Sequence, residues 1–310
     1  MTQNPFADLP VIARLPPEAA LARLASMGEP LEKAETEGAV IAFEAGRPRS
    51  LRDWLTGGPR PWQHTAHTIG FLPATAVPGP DGLLPINGVG ETQPDTSLKN
   101  ARVSVRLNAL RVAAYPGAGI HRILFDFYAR NQTEGGGEDL HFNATYRARE
   151  GESAPILGYP IFNGLSVGTE GVAFRFHTVN VKNDDDEAIL DFLEGDTFKA
   201  GLKLALTAQP AIAPLSTMAL GVTKALAARN RNVSVQDMFI GLDFSSNAMG
   251  ARLAEGDVIA VQIPETLVSV WDWSLWAYDR AQGRIVDRAT RRTLIPYNYV
   301  AFSVTRYEGA

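Results

Sequence analysis

Several segments of the chain alternate strictly between apolar and polar residues, and this period of two is the feature that most constrains the fold. In one of them, Val172, Phe174 and Phe176 alternate with Arg175 and His177. Successive side chains of a β-strand point to opposite faces of a sheet, so the pattern is typical of a strand with one buried face. Further strands are predicted at 102–108, 123–128, 140–147, 235–244, 257–263, 268–278 and 295–307. Turn signals between them predict a mostly β fold, an antiparallel β-sandwich.

Two details of register can be predicted within these strands. The alternation that begins at Arg102 changes phase at Ala109-Leu110, which indicates a β-bulge. Asn163-Gly164 is flanked by apolar residues, and this dipeptide predicts a two-residue hairpin turn.

A segment at about 184–230 interrupts the strands with a helical pattern. Asp184 and Glu187 precede an apolar run with the spacing of a capping box, which opens a helix. Residues 204–223 contain no charged residue, and Pro214 fits the first turn of a second helix. The sequence therefore predicts an αα insertion that covers the sheet. A membrane-inserting hairpin is the alternative.

The start of this predicted helical segment has a second interpretation, because three adjacent carboxylates lie there: Asp184, Asp185 and Asp186. Calcium takes several oxygen ligands from flexible acidic loops, so these residues are candidate metal ligands. The run does not match the EF-hand pattern, which needs alternating ligands and a central glycine. A helix cap is therefore favoured, calcium stays the alternative, and no other cofactor is expected.

Residues 1–98 are predicted to form an N-terminal region distinct from the main domain at 99–310. The pattern at 17–27 predicts a short amphipathic helix. Prolines and glycines are too frequent at 57–98 for long regular elements. Because apolar residues such as Trp62 punctuate that stretch, we expect an irregular arm that packs on the main domain or on a neighbouring molecule.

Composition excludes several classes of function. A formal net charge of -5 argues against general attraction to nucleic acid, and a membrane is a possible but unfavoured partner. The absence of cysteine excludes disulfides, thiolate metal sites and cysteine nucleophiles. The first residues lack the basic stretch and apolar core of a secretory signal, so a cytoplasmic location is expected.

No coherent catalytic set is visible in the sequence. A G-x-S-x-G motif surrounds Ser166, but no helix is predicted after it and the only histidine that follows is His177. His64 and His67 have a spacing that can bind a metal on a helix, yet they lie in the arm without an acidic neighbour. A third ligand would have to come from elsewhere in the chain.

Two groups of residues are candidates for binding. Trp271, Trp273 and Trp276 fall on the predicted strand 268–278, where bulky aromatic residues on both faces favour a core position or a subunit interface. The second group consists of arginines on the polar side of predicted strands: Arg102, Arg106, Arg147 and Arg175. If these strands are neighbours, the arginines form one basic sheet face that suits an anionic partner. Isolated arginines on a solvated sheet are the alternative.

These observations favour a non-enzymatic binding or assembly protein that acts through protein–protein contacts. The expected partner is a second copy of the chain or another protein encoded in the same operon. A peripheral membrane or calcium-dependent lipid-binding module is the first alternative, although such sandwiches use two acidic loops and only one is visible here. A metal-dependent hydrolase built on His64, His67 and the acidic run is the second alternative.

Overall fold

The computed structural model describes residues 11–27, 60–117, 119–133, 136–154, 156, 158–182, 202–203, 232–245 and 250–309. The described residues form three β-sheets, one α-helix and several short 3-10 helices. The mostly β, antiparallel architecture predicted from the sequence is therefore confirmed. The predicted helical insertion at about 184–230, which contains Asp184, Asp185 and Asp186, lies outside the described residues except for 202–203.

Helices make up little of the described structure. The α-helix α1 (Pro17–Ser26) forms where the amphipathic pattern predicts a helix. The 3-10 helices are Ile12–Arg14, Pro61–Gln63, Val89–Glu91, Thr96–Leu98, Glu265–Leu267 and Trp273–Leu275. Within the described ranges, no helix has the length and apolar character needed to cross a bilayer.

The largest sheet has seven strands, numbered in chain order. In spatial order its strands are Asn87–Gly88 (β3), Ala66–Pro73 (β1), Gly256–Ile263 (β12), Tyr299–Arg306 (β15), Arg102–Arg111 (β4), Tyr159–Ser166 (β7) and Leu202–Lys203 (β9). Neighbouring strands are antiparallel except β7 and β9, which are parallel. β1 lies in the predicted arm and pairs with β12 over its eight residues, so the expectation that 57–98 holds no long regular element is wrong. The domain boundary at residue 98 stays a prediction.

A second sheet has five strands and contains the longest hairpin of the described structure. In spatial order its strands are Ala251–Arg252 (β11), Val233–Asp243 (β10), Gly171–Val181 (β8), Ile120–Thr133 (β5) and Gly136–Arg149 (β6). Only the short pair of β10 and β11 is parallel among the described pairs of this sheet. The strands predicted from the alternation at Val172 and Ile123 are thus β8 and β5, which are neighbours.

The core between these two sheets is built from the apolar faces of their strands. Phe127 of β5 packs against Phe302 of β15 with 5.1 Å between the ring centroids, and Phe174 of β8 packs against Phe302 at 5.5 Å. All three side chains are completely buried. Each buried aromatic side chain removes a large apolar area from water, which stabilises the contact between the sheets. The two sheets therefore form the predicted sandwich.

A third, small sheet covers the other side of the seven-stranded sheet. Its strands in spatial order are Arg284–Asp287 (β14), Trp276–Asp279 (β13) and Leu83–Pro85 (β2). A separate apolar cluster, which we name the outer cluster, lies beneath it and includes Leu72, Ile259 and Ile285. The seven-stranded sheet is therefore covered on both sides, by five strands on one side and three on the other.

The bulge predicted near Ala109 is present in β4. Leu107 lies opposite Phe302, and the register then shifts so that Asn108 is the extra residue. Leu107 belongs to the core of the sandwich, whereas Ala109 belongs to the outer cluster. Because successive residues of a strand alternate in direction, the bulge also turns Arg111 towards the outer cluster.

The hairpin turn predicted at Asn163-Gly164 is wrong, because β7 continues through both residues. Gly164 has a φ of +87°. Asn163 pairs with Ser104 and Leu165 pairs with Val103, so Gly164 is an extra residue in β7. Glycine adopts positive φ at little cost, and the dipeptide that favours a turn forms a β-bulge here instead.

A fully buried polar network ties the sandwich to the start of β1. The Asn298 side chain donates to the Ala114 carbonyl and to the Gln262 side-chain oxygen, both at 2.9 Å. The Gln262 amide in turn donates to the backbone carbonyls of His64 at 2.7 Å and Val235 at 3.0 Å. Since Val235 belongs to the five-stranded sheet, this network links both sheets and fixes the chain at His64.

Candidate functional site

The chain leaves β12 at Ile263 and reaches β13 at Trp276 through the segment 264–275, which we name the tryptophan loop. The strand predicted at 268–278 is wrong, since only β13 at its end is a strand. The Asp272 carboxylate accepts a hydrogen bond from the Ser274 N–H at 2.8 Å and caps a 3-10 turn there. This side-chain contact diverts the backbone from an extended path.

Four aromatic side chains form a cluster centred on Trp271. Its ring stacks on Trp276 with 6.1 Å between the centroids and 12° between the planes. Trp273 meets Trp271 edge-on at 5.5 Å, and Tyr297 contacts it at 5.8 Å. The structure therefore brings the three predicted tryptophans together, although they do so through a loop rather than along one strand. Stacked and edge-on rings hold one another in fixed orientations.

Trp273 anchors the loop on the seven-stranded sheet. Its side chain is buried in the outer cluster and lies directly over the backbone of Gly70 in β1. A Cβ atom added at Gly70 would lie 2.7 Å from Ile86 Cγ2 and 2.9 Å from the Trp273 ring. Only a glycine at position 70 leaves room for the Trp273 ring to lie this close to the backbone of β1.

Apolar side chains are exposed around this cluster. Val268, Val270 and Leu275 have 51%, 68% and 56% of their surface exposed. They are half of the large hydrophobic residues that the described structure exposes, and they fall within eight positions of the chain. Scattered exposed hydrophobic residues are ordinary, but a contiguous group of them marks an interaction surface.

The same loop contains polar atoms without hydrogen-bond partners. The Trp271 indole Nε1 and the Thr266 hydroxyl are buried, and neither has a partner within the described structure. Hydrogen bonds from the side chain and backbone of Ser274 lower the pKa of Asp272, which keeps its exposed carboxylate charged beside the apolar residues. Because both atoms are buried, they contribute to the interior of the loop rather than to its exposed surface.

The predicted arginines do not share one face. Arg102 and Arg106 lie on the outward side of β4, in the seven-stranded sheet, because Val103 and Val105, which alternate with them, belong to the core. Arg147 and Arg175 lie on the outward side of the five-stranded sheet, which is the opposite side of the sandwich. The Arg106 guanidinium donates to the Gly158 carbonyl at 3.3 Å. The single basic face proposed for an anionic partner is therefore not formed.

Arg175 belongs instead to an ionic row that sequence reasoning missed. Its guanidinium donates two hydrogen bonds to Asp237 of β10, at 3.0 and 2.9 Å, and Arg14 lies 3.6 Å from the same carboxylate. His177 Nε2 is 3.5 Å from Asp237 on one side, and Asp126 is its register partner on the other. Burial alone would raise the pKa of Asp237, but the Arg175 hydrogen bond and the nearby charges lower it. These contacts link β10, β8 and β5. Because the Arg175 guanidinium is held by both oxygens of Asp237, Arg175 is not available to a ligand.

The two histidines of the possible metal site point to different layers. The His64 ring packs edge-on against Tyr297 at 5.8 Å, whereas the His67 ring packs against Phe176 of β8 at 6.3 Å. Burial lowers the pKa of each to about 4, so both are neutral at neutral pH. No group of three or more His, Asp or Glu side chains that could hold a metal ion exists in the part of the chain that the structure describes.

Comparisons of this chain with protein-family models, with curated proteins and with solved structures found no match. Of the predicted sites, the tryptophan loop is the one that combines stacked aromatic rings with exposed apolar side chains. These are properties of a surface that binds another protein.

Proposed function

We propose that this chain is a non-enzymatic binding or assembly protein that acts through protein–protein contacts made by the tryptophan loop. The observation that carries the proposal is the exposure of Val268, Val270 and Leu275 directly beside the stacked rings of Trp271 and Trp276. Rigid aromatic groups rimmed by apolar and polar residues supply contact area at a low cost in side-chain entropy. The cytoplasmic location stays a prediction.

The partner we propose is a second copy of the same chain. Asp272 and Arg288 are both neighbours of Leu275 along the backbone, since the Leu275 N–H donates to the Asp272 carbonyl at 3.4 Å and the Leu275 carbonyl accepts from the Arg288 N–H at 2.9 Å. Both residues are exposed and carry opposite charges. In a two-fold contact each residue of one copy meets the symmetry-related surface of the other, so Asp272 of one loop can face Arg288 of its neighbour. A surface with an acidic and a basic side around an apolar centre is complementary to itself.

Sedimentation equilibrium of three matched proteins tests this function. The wild-type chain is expected to form a defined homo-oligomer at low micromolar concentration. The triple variant Val268→Ser, Val270→Ser, Leu275→Ser is expected to dissociate at least about 100-fold more readily, because three apolar side chains per copy are lost from the contact. The control carries Val77→Ser and Ile120→Ser, which change residues that are also exposed but lie elsewhere.

Two outcomes would contradict the proposal. The first is a wild-type chain that stays monomeric throughout the concentration range, because the tryptophan loop would then mediate no self-association. Equal dissociation of the triple variant and the control would show that the contact lies outside the tryptophan loop. Circular dichroism of all three proteins verifies that the substitutions leave the fold intact.

A bilayer surface is the competing class of partner, since tryptophans and aliphatic residues also suit a lipid interface. The exposed carboxylate of Asp272 beside Val270 disfavours an anionic membrane. Sedimentation with anionic vesicles, with and without calcium, separates the two classes. Vesicle binding that the triple variant abolishes, from a monomeric wild-type chain, would favour the lipid-binding alternative.

A further inference from the structure

Arginines are concentrated at the small third sheet. Residues 280–292 include five of them and no lysine, and Asp287 is the only acidic residue in the same range. The arginines lie on the turn between β13 and β14, on β14 itself and on the loop that follows it. The sign of the charge is therefore reversed locally, in a chain whose formal net charge is -5.

The loop 288–292, which we name the arginine loop, is closed by Asp287. The Asp287 carboxylate accepts the Thr290 N–H at 2.7 Å, and the Asp287 carbonyl accepts the Arg291 N–H at 2.8 Å. The Asp287 N–H donates to the Thr293 carbonyl at 2.8 Å on the returning side of the loop. A side chain that bonds to the backbone in this way fixes the path of the loop.

Four of the five arginines are exposed: Arg280, Arg288, Arg291 and Arg292. None of the ion pairs within the described ranges includes any of these four residues. The fifth, Arg284, is half-buried and lies opposite Asp279 in the pair of β13 and β14, so it does not belong to this surface. The exposed guanidinium groups are therefore open to a ligand that approaches from solvent.

Arg291 has a backbone conformation that arginine rarely adopts. Its φ is +58°, and within the described ranges Asn100 is the only other residue apart from glycine with a positive φ. Glycine and asparagine suit this left-handed region better, because the Cβ atom of a larger side chain is crowded there. Residues held in sparsely populated conformations cluster at functional sites. An arginine at this position therefore indicates a use for its guanidinium group.

The spacing of the exposed groups favours an extended ligand. Arg280 follows one end of the hairpin, and the arginine loop lies at the other end of β14. Four residues of strand, with a rise of about 3.3 Å each, separate the two ends by roughly 13 Å. One phosphate or carboxylate group cannot span that distance, whereas a nucleic acid strand presents a series of phosphates along it.

We propose that Arg280 and the arginine loop bind the phosphate backbone of a nucleic acid. Guanidinium groups match phosphate oxygens with pairs of parallel hydrogen bonds, which favours arginine over lysine. The negative charge of the whole chain acts weakly here, because salt screens charges beyond about 10 Å at 0.1 M ionic strength. Contacts to the backbone carry no sequence information, so binding is expected to be independent of base sequence.

Fluorescence anisotropy of a labelled DNA duplex of about 20 base pairs, at several salt concentrations, tests this surface. The variant combines Arg291→Asn with Arg292→Gln and leaves Arg288 unchanged, since Arg288 also belongs to the proposed contact between copies. We expect roughly tenfold weaker binding at low salt. The slope of log K against log salt should fall by about two, the loss of two phosphate contacts. Asparagine suits the backbone at position 291, so the midpoint of thermal unfolding should not fall.

The control combines Arg130→Gln with Arg149→Gln, two exposed arginines of the five-stranded sheet on the other side of the sandwich. It removes the same charge and should leave affinity and slope nearly unchanged. No binding of the duplex at low salt, equal loss in the control, or an unchanged slope in the arginine-loop variant would each overturn the assignment. Binding of anionic vesicles without binding of DNA would overturn it in favour of a membrane. Competition by polyglutamate as strong as by unlabelled DNA would do so in favour of an acidic protein.

Discussion

The two faces of the seven-stranded sheet differ in how completely they are covered. On the inner face, the five-stranded sheet closes a core in which Phe127, Phe174 and Phe302 are wholly buried. On the outer face, three short strands and the tryptophan loop leave Val268, Val270 and Leu275 more than half exposed. The seven-stranded sheet is thus completely covered on its inner face and only partly covered on its outer face.

We infer from this difference that the inner face mainly stabilises the fold and that the outer face carries the proposed binding surface. The inner face is covered by the strands of the five-stranded sheet, so its apolar side chains are buried within the chain. The outer face carries the exposed aliphatic residues of the tryptophan loop, Val268, Val270 and Leu275. We therefore expect substitutions on the inner face to change the free energy of unfolding, and those at the tip of the loop to change association.

The largest expected effect is on the inner face. Phe127→Ala removes a completely buried ring that contacts four other aromatic rings, Phe125, Phe162, Phe174 and Phe302. We expect a loss of about 4 kcal/mol in the free energy of unfolding, measured by urea denaturation. The matched control is Phe239→Ala, because Phe239 is 65% exposed. A loss of similar size in the control would contradict the assignment of the core.

A smaller effect is expected where the outer face meets the sheet. Gly70→Ala places a Cβ within 2.9 Å of the Trp273 ring and should cost about 2 kcal/mol through overpacking. Tryptophan fluorescence should shift as Trp273 is displaced. Gly241→Ala is the control in β10, where no atom lies within 4 Å of the added Cβ, and it should stabilise by about 0.5 kcal/mol. An unchanged emission spectrum and unfolding midpoint for Gly70→Ala would mean that Trp273 does not pack on β1.

The smallest of these effects concerns pH. Burial lowers the pKa of His64 from 6.5 to about 4, so the unfolded chain binds more protons than the folded chain between these values. The folded state is therefore fully stable above pH 6.5 and loses stability as the pH falls towards 4. Between pH 7.5 and pH 5.5, His64→Gln should lose about 1 kcal/mol less than the wild-type chain in urea denaturation. Identical pH dependence of the two proteins would show that His64 titrates normally.

Local patterns were sufficient to predict the inner face. The alternation at Val172 and Ile123 identifies β8 and β5, because a buried face of a strand leaves a direct trace in the sequence. The phase change at Ala109 even predicts the bulge, since an extra residue shifts every later side chain to the other face. These features depend only on neighbours along one strand.

The outer face could not be predicted because it depends on contacts between distant segments. The order of strands places Arg102 and Arg175 on opposite sides of the sandwich, and no periodicity encodes that order. One local signal was available: the sequence Asp272-Trp273-Ser274 is typical of a side-chain-capped turn and argues against a continuous strand there.

Cross-linking of single-cysteine variants tests most directly whether the tryptophan loop is the contact between copies. The natural chain has no cysteine, so each variant carries one thiol of known position. Val268→Cys, Val270→Cys and Leu275→Cys are oxidised mildly at low micromolar concentration, with Ile120→Cys as the control. If two loops meet across a two-fold axis, at least one loop variant forms a covalent dimer rapidly while the control stays monomeric. No dimer from any loop variant, or equal cross-linking of the control, would contradict the proposed interface.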